Sequence, residues 1–454
     1  MRTENHGSGM DSALPIAEID FSRYHMRVST ERFTSRDYQE LEREKLWMRV
    51  WQIAGRADEL PEPGDWKVYT VLDQSYVLVR GRDGAIRGFV NACRHRANAF
   101  CQGSGHSARF TCPYHRWTWE LDGRLIGVAM PDFRGSVEEF VGPKDELGLL
   151  PVQVEVFAGF IFLNPDMSAA PLADFLGPAA QALAAYRLEE MVPVGLNVRE
   201  KIRCNWKVVI DAFQEGYHVQ GVHPELVSYM DMARERFMEF GLHCACTVPF
   251  GGARSATAGP EQEVAMYRQL PAPNFPGIVA ALPRFENLVA LYLDGDGAPH
   301  FPAGVSARGL MQQAVRETMT ARGLDVSALS DTQMSDYQFW ALFPNVYLQL
   351  CPGEATVIIA APDRDGDPNA CSWHVCHYLW LPAELREEQR AELVEIPEGE
   401  HFDYFLALEQ DYSQMQQQQD GLRNRAVKFM SLTRQEPRVA HFHAVLDDWL
   451  GDSA

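Results

Sequence analysis

Apolar residues follow two different patterns, one before about residue 164 and one after it. Residues 30–51 place apolar side chains near one face and charges opposite, which predicts an amphipathic helix. Short runs rich in β-branched and aromatic residues follow, and they predict β-strands in the segments WKVYTVLD, SYVLVRG, AIRGFVNAC and VQVEVFAGFIFLN. Asp-Gly pairs at 83–84 and 122–123 predict hairpin turns. Residues from about 50 to 164 should therefore form a small all-β unit.

After residue 164 helical and strand patterns are mixed. Ala-rich residues 172–188 predict a helix, and VREKIRCNWKVVIDAF predicts a strand that turns helical near Trp206. NVYLQLCPGEATVIIAAP and CSWHVCHYLWLP predict antiparallel strands, while HFDYFLALEQDYSQMQQQQDGLRN predicts a long helix. Residues 235–330 are rich in Gly, Pro and Ala, and we assign no element there. The second part therefore mixes helices with an antiparallel sheet.

Composition narrows the class of protein. The 454 residues carry a formal net charge of −21 and are 46% hydrophobic, which is ordinary for a globular chain of two or three domains. An acidic chain is not expected to bind nucleic acid, although local basic patches could receive an acidic electron carrier. Nine cysteines, an odd count, do not predict a disulfide framework. The N-terminal segment lacks the apolar core of a signal peptide, and no run reaches about 18 apolar residues, so we expect a cytoplasmic protein that crosses no membrane.

Two short motifs each pair a cysteine with a histidine. Cys93-x-His95 is followed, after sixteen residues, by Cys112-x-x-His115. Two imidazoles in place of two thiolates on one iron define a Rieske [2Fe–2S] centre, whose reduction potential of about −150 to +300 mV suits it to pass on single electrons. A structural zinc site uses the same residue types, but zinc fingers usually place like ligands together. The pairing of unlike ligands favours the Rieske centre over zinc.

A second set of metal-ligand residues lies in the segment EGYHVQGVH. His218 and His223 point in different directions on an ideal helix, so a helix that ends or bends near Gly221 is needed to bring the rings together. Two histidines and one carboxylate form the facial triad of non-haem Fe(II) oxygenases. Glu215 and Asp411 are the candidates for the carboxylate. A histidine pair on a helix is more often a surface or packed pair, but an upstream electron carrier needs an acceptor, and an Fe(II) that activates O2 would be one.

These motifs together resemble the α subunit of the Rieske non-haem iron oxygenases, the ring-hydroxylating dioxygenase family. The resemblance covers nearly the whole chain and rests on PEPGDW, CRHR, CPYHRW, NWKVVIDAFQEGYHVQGVHP and, more weakly, EQDYSQMQQQQDGL. It implies an α+β fold in which an all-β Rieske [2Fe–2S] domain is inserted in a catalytic domain whose curved antiparallel sheet is covered by helices, a helix-grip or START-like arrangement. The implied boundaries are 1–49 for an N-terminal tail and helix that belong to the catalytic domain, 50–164 for the Rieske domain and 165–454 for the catalytic mononuclear iron domain.

The resemblance also assigns site residues. It implies that the cluster is bound by Cys93, His95, Cys112 and His115, and that a mononuclear Fe(II) is bound by His218, His223 and Asp411. Asp411 is chosen because it precedes Gln419 by eight residues and Gly421 by ten, as the aspartate of the family's late motif does.

A carboxylate three residues before the first iron histidine is implied to link the two metal sites across a subunit boundary. In a head-to-tail homotrimer, with or without a β subunit, Glu215 would contact a cluster histidine of one subunit and an iron histidine of the next. Asp211 is expected to support that junction, and a stabilising role at a helix start or facing solvent is the alternative. We therefore take both carboxylates as candidate catalytic residues.

Three positions depart from the family pattern. Many members have Asp where this chain has Glu215, and the longer side chain changes the reach of the link. Ala97 and Arg116 stand where the family has Gly. A positive φ at Arg116 would be strained, so we expect a functional but locally adjusted loop.

The implied function is that of a terminal oxygenase component. It would use O2 and electrons from an NAD(P)H-dependent reductase, directly or through a ferredoxin, to hydroxylate a small hydrophobic aromatic or alicyclic compound by mono- or cis-dihydroxylation. No G-x-G-x-x-G follows a predicted strand, so the chain itself is not expected to bind the nicotinamide. Oxidative O- or N-demethylation on the same scaffold is one alternative. A non-catalytic Fe–S electron carrier or ligand-binding protein is a second, and a zinc-stabilised structural protein a third.

The substrate pocket is only weakly encoded in the sequence. We expect it to be lined by Phe213 and Gln214, by residues of the segment 240–305 and by the strand 345–351, where apolar and aromatic residues suit an apolar ring. A nearby group, which could suggest a third metal site, is interpreted instead as a buried polar cluster: His243, Cys244 and Cys246.

Overall fold

The computed structural model describes residues 13–128, 143–249, 259–270 and 276–451, which form two compact units. The smaller unit comprises Glu40–Phe175 with Arg364–Gly366, and the larger unit comprises the rest of the chain. All nine cysteines lie in the described residues, all are buried, and none is joined to another by a disulfide. No helix within these ranges is long and apolar enough to cross a membrane.

The smaller unit is built mainly from antiparallel strands. The strands are β3 (Gln52–Arg56), β4 (Asp65–Val71), β5 (Gln74–Arg80), β6 (Ile86–Val90), β7 (Ser104–His106), β8 (Phe110–Thr111), β9 (Thr118–Trp119), β10 (Leu125–Gly127), β11 (Pro151–Phe157) and β12 (Phe160–Asn164), numbered after β1 and β2 of the larger unit. They form one sheet in the order β3-β12-β11-β6-β5-β4-β7 and a second in the order β10-β9-β8. The hairpin turns predicted at Asp83-Gly84 and Asp122-Gly123 are confirmed, since each pair joins two of these antiparallel strands.

Two predicted helices are interrupted, each at an identifiable residue. The helix predicted over 30–51 is instead α1 (Glu31–Thr34), α2 (Arg36–Glu42) and a π-helical turn, Arg43–Trp47. Between α1 and α2, Ser35 is extended (φ −89°, ψ 130°), and its hydroxyl accepts a hydrogen bond from the Tyr38 N–H, as a helix N-cap does. The prediction of one continuous helix was therefore wrong.

The helix predicted over 172–188 is likewise divided, into α3 (Leu172–Leu176) and α4 (Pro178–Ala184). Gly177 has a φ of 51°, and the proline after it occupies the first turn of α4. A proline without an N–H starts a helix well but does not continue one, so the break follows from the Gly-Pro pair.

The larger unit contains one nine-stranded sheet. Its strands are β1 (Leu14–Pro15), β13 (Met191–Ile202), β14 (Arg236–Phe240), β15 (His243–Val248), β16 (Tyr337–Leu342), β17 (Val346–Cys351), β18 (Glu354–Pro362), β19 (Cys371–Trp380) and β20 (Val394–Glu395). Their order is β1-β14-β15-β16-β17-β18-β19-β13-β20, and only the β13–β20 pair is parallel among the described strands. A separate two-stranded sheet pairs β2 (Arg27–Ser29) with β21 (Phe429–Ser431).

Helices cover the antiparallel sheet of this unit. They are α5 (Trp206–Phe213), α6 (Val219–Val222), α7 (Pro260–Arg268), α8 (Pro276–Val279), α9 (Leu282–Val289), α10 (Ala307–Arg322), α11 (Asp331–Ser335), α12 (Ala383–Gln389), α13 (Leu406–Leu422) and α14 (Pro437–Leu450). Helix α5 packs on β17–β19, α13 packs on α5, and α14 packs on β15. The expected α+β class, with a β-rich unit and a helix-covered curved sheet, is confirmed.

The described residues of 235–330 hold two strands and four α-helices where we assigned none, and one of these helices, α10, has sixteen residues whose periodicity we missed. The strands β14 and β15 are only five and six residues long, and α7, α8 and α9 are four to nine residues long. Segments this short show less than three turns of helical periodicity, so their pattern could not be separated from that of loops.

Candidate active site

The two cysteine–histidine motifs converge in the smaller unit. Cys93 and Cys112 are buried, with 4% and 0% of their surface exposed, and their thiols contact each other. The Nδ1 atoms of His95 and His115 lie 3.2 Å apart, and these rings lie nearer the surface. Trp117 stacks on the His95 ring, with the planes 9° apart and the centroids at 5.1 Å. Two buried thiols and two converging ring nitrogens match the donor set of a Rieske cluster, so the residues fit that group.

Both departures from glycine in these loops fall in the left-handed region of the backbone. Ala97 has a φ of 55° and Arg116 a φ of 59°. In each loop this residue donates its N–H to the carbonyl of the ligand cysteine, Cys93 or Cys112, at 2.9 and 3.0 Å. The turn is therefore kept without glycine, at a cost of about 1–2 kcal/mol per residue.

The second candidate centre is created by a break in a helix of the larger unit. Helix α5 ends at Phe213, and α6 is a single turn of four residues, Val219–Val222. His218 directly precedes α6 and His223 directly follows it, so the two rings are not fixed by one regular helix. Their ring centroids are 5.1 Å apart. The predicted distortion near Gly221 is thus present as the termination of α6 at Val222.

Asp411, on α13, completes a group of three possible ligands. One ligand atom each from His218, His223 and Asp411 lies within 4.8 Å of the others. The Asp411 carboxylate oxygen Oδ1 lies 2.9 Å from Nε2 of His223 and 3.6 Å from Nε2 of His218. Asp411 and His223 are buried. Two imidazoles and one carboxylate facing a common point are the donors of a facial triad, so the residues fit a mononuclear iron.

The outer nitrogens of both histidines are held by further side chains. His218 Nδ1 lies 2.6 Å from Glu215 Oε1, while Glu215 Oε2 accepts the His218 backbone N–H at 2.9 Å. His223 Nδ1 lies 2.7 Å from Gln410 Oε1. Each Nδ1 atom thus meets an oxygen acceptor on its outer side, and each Nε2 atom faces Asp411. Gln410 was not identified from the sequence, and its position next to Asp411 is the only signal that could have found it.

The environment of His223 favours its charged form. Burial alone would lower the pKa of His223, but its hydrogen bond to Asp411 and the charge of that carboxylate outweigh burial and raise the pKa above the ordinary value. A divalent cation at the same point would supply the positive charge that Asp411 attracts.

Asp211 lies neither at a helix start nor facing solvent. It is buried near the end of α5, and its Oδ2 lies 3.1 Å from His443 Nε2 on α14. The alternative of a helix-start or solvent-facing carboxylate is therefore wrong. The hydrogen bond joins α5 to α14, while the second oxygen of Asp211 has no hydrogen-bond partner among the described residues.

A cavity of about 250 Å³ opens beside the candidate iron ligands. Its floor is the sheet, because β-strand residues in register point to one face: Phe339 pairs with Gln349, Gln349 with Thr356, and Thr356 with His377. The aromatic side chains that line it are Phe213, Tyr337, Phe339, Tyr347 and Phe405. The charged side chains that line it, besides the three candidate ligands, are Glu215, Glu354, His377 and Arg438.

The expected pocket lining is correct only in part. Phe213 lines the cavity, as do Tyr347 and Gln349 of the strand predicted at 345–351. Gln214 is buried outside the lining, so that expectation was wrong. None of the described residues of 240–305 belongs to the lining, and residues 250–258 and 271–275 of that segment lie outside the described residues. Glu354 and Arg438 were not predicted, because neither belongs to a motif.

The three residues of the suspected third metal site are buried, as interpreted, but they do not form one cluster. His243, Cys244 and Cys246 are all fully buried on β15. His243 Nδ1 accepts a hydrogen bond from the Phe343 N–H at 3.0 Å. His243 alternates with the two cysteines along the strand, so its ring points to the opposite face of the sheet.

The chain belongs to the Rieske non-haem iron oxygenases. Residues 184–452, more than half of the chain, match the family described as "Ring hydroxylating alpha subunit (catalytic domain)". Residues 50–139 match the "Rieske [2Fe-2S] domain". The two matched domains imply a [2Fe–2S] cluster and a mononuclear iron, and they place the chain among the oxidoreductases. The electron-carrier and zinc-protein alternatives are therefore wrong.

Among curated proteins, the chain is similar to oxygenase subunits that act on quaternary ammonium compounds. It is 34% identical over 190 residues to the glycine betaine monooxygenase oxygenase subunit of Pseudomonas aeruginosa. The matched region covers 41% of this chain and 42% of that protein. It is 32% identical over 226 residues to the carnitine monooxygenase oxygenase subunit of Acinetobacter baumannii, which covers 49% of this chain and 59% of that protein. The matches thus span about half the length of these relatives.

Solved structures share the fold over most of the chain. A quaternary ammonium Rieske monooxygenase superposes with a TM-score of 0.63 at 20% identity, covering 93% of this chain and 95% of that one. Naphthalene 1,2-dioxygenase with bound indole superposes equally well, with a TM-score of 0.63 at 17% identity, covering 93% of this chain and 92% of that one. The shared fold therefore does not separate the two substrate classes.

Proposed function

We propose that this chain oxidises a small N-methylated ammonium compound, by N-demethylation or by hydroxylation beside the nitrogen. The observation that carries the proposal is a carboxylate among aromatic rings in the cavity. Glu354 is 3% exposed and lines the cavity together with Tyr337 and Phe339, whose rings stack with centroids 5.9 Å apart. Aromatic faces and a buried negative charge are the features that recognise a methylated ammonium group. The relatives named for glycine betaine and carnitine support the same class.

The neighbours of Glu354 keep its carboxylate in place for a cation. Its Oε2 accepts the Gly277 N–H at 2.8 Å, and its Oε1 lies 3.5 Å from Nε2 of His377. One backbone N–H does not neutralise a carboxylate, and the His377 nitrogen is beyond hydrogen-bond distance. A substrate cation would therefore supply the positive charge that this buried group otherwise lacks.

We further propose that the residues assigned to the two metals from the sequence serve as their ligands. Cys93, His95, Cys112 and His115 would bind the cluster, and His218, His223 and Asp411 the mononuclear iron. When bound, the cluster supplies single electrons and the iron supplies oxygen activation. The protein then orients the N-methyl group toward the triad and excludes water from the cavity. The hydrogen bond from His218 to Glu215 supports a role for Glu215 as the link to a neighbouring subunit's cluster in a homotrimer, with or without a β subunit.

The proposed demethylation balances as a monooxygenation. One oxygen atom of O2 is inserted into a C–H bond of an N-methyl group, and the other leaves as water with two electrons and two protons from the donor chain. The resulting N–CH2OH group breaks at its C–N bond, which releases formaldehyde, the demethylated amine and, from a quaternary ammonium, one proton. Hydroxylation on another carbon attached to nitrogen would release the amine and an aldehyde instead.

Hydroxylation of a small aromatic or alicyclic ring is the second candidate, because much of the lining is apolar. Phe213, Leu226, Met230 and Leu408 line the same cavity. This function does not use the charges of Glu354 or Arg438, which makes it the weaker candidate.

Turnover with a surrogate reductase and NADH separates the two functions. We expect glycine betaine, carnitine or choline to stimulate O2 uptake, with one formaldehyde or other aldehyde and one amine released per O2. A panel of aromatic and alicyclic rings should give no alcohol or diol by mass spectrometry. Ring hydroxylation without turnover of any N-methylated compound would overturn the proposal.

The Glu354→Gln variant tests the charge itself. The amide keeps an acceptor for the Gly277 N–H but removes the negative charge, so KM for the cationic substrate should rise about 10- to 100-fold. Glu395→Gln is the matched control, since Glu395 is an exposed acid on β20 that pairs with Arg199. Equal KM values for the two variants would show that Glu354 does not bind the substrate.

A further inference from the structure

Arg438 is a buried cation on the wall of the same cavity. It lies in the first turn of α14, is 2% exposed and lines the cavity. Its Nε and Nη1 atoms are buried and have no hydrogen-bond partner among the described residues. The nearest carboxylate is that of Glu235, whose Oε1 lies 3.6 Å from Nε, which is too long for a hydrogen bond.

The surroundings of Arg438 do not supply a hydrogen-bond acceptor for every donor of its guanidinium. Its guanidinium carbon lies 5.8 Å from the centroid of the Phe339 ring, another residue of the cavity wall. A guanidinium has five N–H donors, and a buried donor without an acceptor is costly. Burial raises the pKa of Glu235, and the charge of Arg438 opposes that rise, so Glu235 is a distant and incomplete counter-ion. A carboxylate in the cavity could accept a charge-assisted hydrogen bond from the guanidinium.

We propose that Arg438 binds the carboxylate of the substrate. This inference rests on the proposed function and narrows it from cations to zwitterions that carry a methylated ammonium group and a carboxylate. The two charges would be bound by different parts of the cavity, the carboxylate by Arg438 and the ammonium by Glu354 and its aromatic neighbours.

The register of the sheet separates these two subsites. Arg438 lies over Phe339 of β16, whereas Glu354 belongs to β18, two strands away. Neighbouring strands are about 4.8 Å apart, and Glu354 is two residues away from Thr356, the residue in register with Phe339, so the two wall positions are roughly 12 Å apart before their side chains reach inward. Such a spacing suits a substrate whose nitrogen and carboxylate are a few bonds apart. Tyr347 lies on β17, between these two strands, and the charges of Arg438 and Asp411 both act on its hydroxyl group.

Binding of three small probes tests the assignment without relying on turnover. Glycine betaine carries both charges, choline carries only the ammonium, and 3,3-dimethylbutyrate carries only the carboxylate on a similar branched skeleton. Calorimetric titration of the iron-loaded, full-length protein under argon should show that Arg438→Gln weakens glycine betaine and 3,3-dimethylbutyrate about 10- to 100-fold. Choline should change by less than about threefold. Glu354→Gln should weaken glycine betaine and choline but leave 3,3-dimethylbutyrate nearly unchanged.

Two further variants guard against a merely structural effect. Arg438→Lys keeps the charge but loses the planar fork, so it should bind the two carboxylates with intermediate affinity. The double variant Arg438→Gln/Glu235→Gln removes the buried charge pair together and should keep the cluster spectrum while still losing the carboxylate preference. Because each comparison is made between ligands within one variant, a general loss of stability would not imitate the result.

Several outcomes would overturn the inference. A wild-type protein that binds neither carboxylate probe, or an Arg438→Gln variant that loses choline as strongly as glycine betaine, would show that Arg438 is not the carboxylate site. Failure of the proposed function is distinguishable, since it would appear as Arg438-dependent carboxylate binding without release of any amine. Turnover of cations that is insensitive to Arg438 would leave the proposed function intact and reject this subsite.

Discussion

Replacing Gln410 with leucine should weaken iron binding at the mononuclear centre although Gln410 is not a ligand candidate. Its Oε1 accepts the Nδ1–H of His223 at 2.7 Å, and His223 is only 3% exposed. Leucine has a similar volume but no acceptor, so a buried N–H would lose its partner at a cost of about 1–3 kcal/mol. At about 1.4 kcal/mol per tenfold change, this corresponds to roughly a 5- to 150-fold loss of affinity, which agrees with about 10- to 100-fold for outer groups at other metal sites.

Equilibrium dialysis against a series of buffered Fe(II) concentrations under argon measures this effect directly. Iron per chain is counted above the amount held by the cluster, whose visible spectrum should not change. Gln410→Glu restores an acceptor and should bind iron at least as tightly as the wild type. Gln414→Leu, an exposed position one turn further along α13, is the matched control. If Gln410→Leu and Gln414→Leu bind iron equally well, the hydrogen bond does not orient His223 and the reasoning is refuted.

Three other predictions use different parts of the chain. His218→Ala should lose the mononuclear iron and nearly all substrate-dependent O2 uptake while keeping the Rieske signal in electron paramagnetic resonance; retained O2 uptake would mean that His218 is not a ligand. Arg116→Gly should stabilise the cluster loop by about 1 kcal/mol, since glycine adopts the φ of 59° without strain. Arg109→Gly, at an exposed position of ordinary φ, is the control and should give no gain. Denaturant titration followed by cluster absorbance compares the two variants, and equal effects would contradict the backbone argument. His401 lies between Glu200 and Glu409, at 2.8 and 3.0 Å, and although burial alone would lower its pKa, these carboxylates raise it. A histidine whose pKa is raised by folding stabilises the fold fully below its unfolded pKa of about 6.5, and this stabilisation is lost as pH rises through the folded pKa. The wild type should therefore exceed His401→Asn in melting temperature by more at pH 6 than at pH 9. A difference that grows with pH would contradict the assignment.

The parts of the site that could be predicted are those whose chemistry is local in sequence. Cys93-x-His95 and Cys112-x-x-His115 are each local in sequence, so spacing alone selects them as candidate ligand pairs. His218 and His223 are separated by one short helix and could be recognised as a candidate pair, although not as certain ligands. Asp411 follows the pair by almost two hundred residues, and only the resemblance to a family could select it.

The parts that could not be predicted depend on burial and register. Glu354 and Arg438 are ordinary charged residues in the sequence, and their significance comes from a sheet that buries them beside one cavity. Gln410 was missed because a neutral amide gives no motif. The break of the first helix at Ser35 was missed because apolar periodicity continues across a residue that also serves as an N-cap. In each case a long-range or capping contact decides what the local pattern leaves open.

Because all nine cysteines are buried, their alkylation would measure how often the fold opens. Burial raises the pKa of Cys101 and Cys244 to about 12, so almost none of either thiol is ionised near neutral pH. An alkylating reagent such as iodoacetamide therefore has neither access nor a reactive thiolate while the chain stays closed. Mass spectrometry of the alkylated peptides over time would show how often each of the two units exposes its interior. Alkylation of Cys93 or Cys112 would show when the cluster is lost.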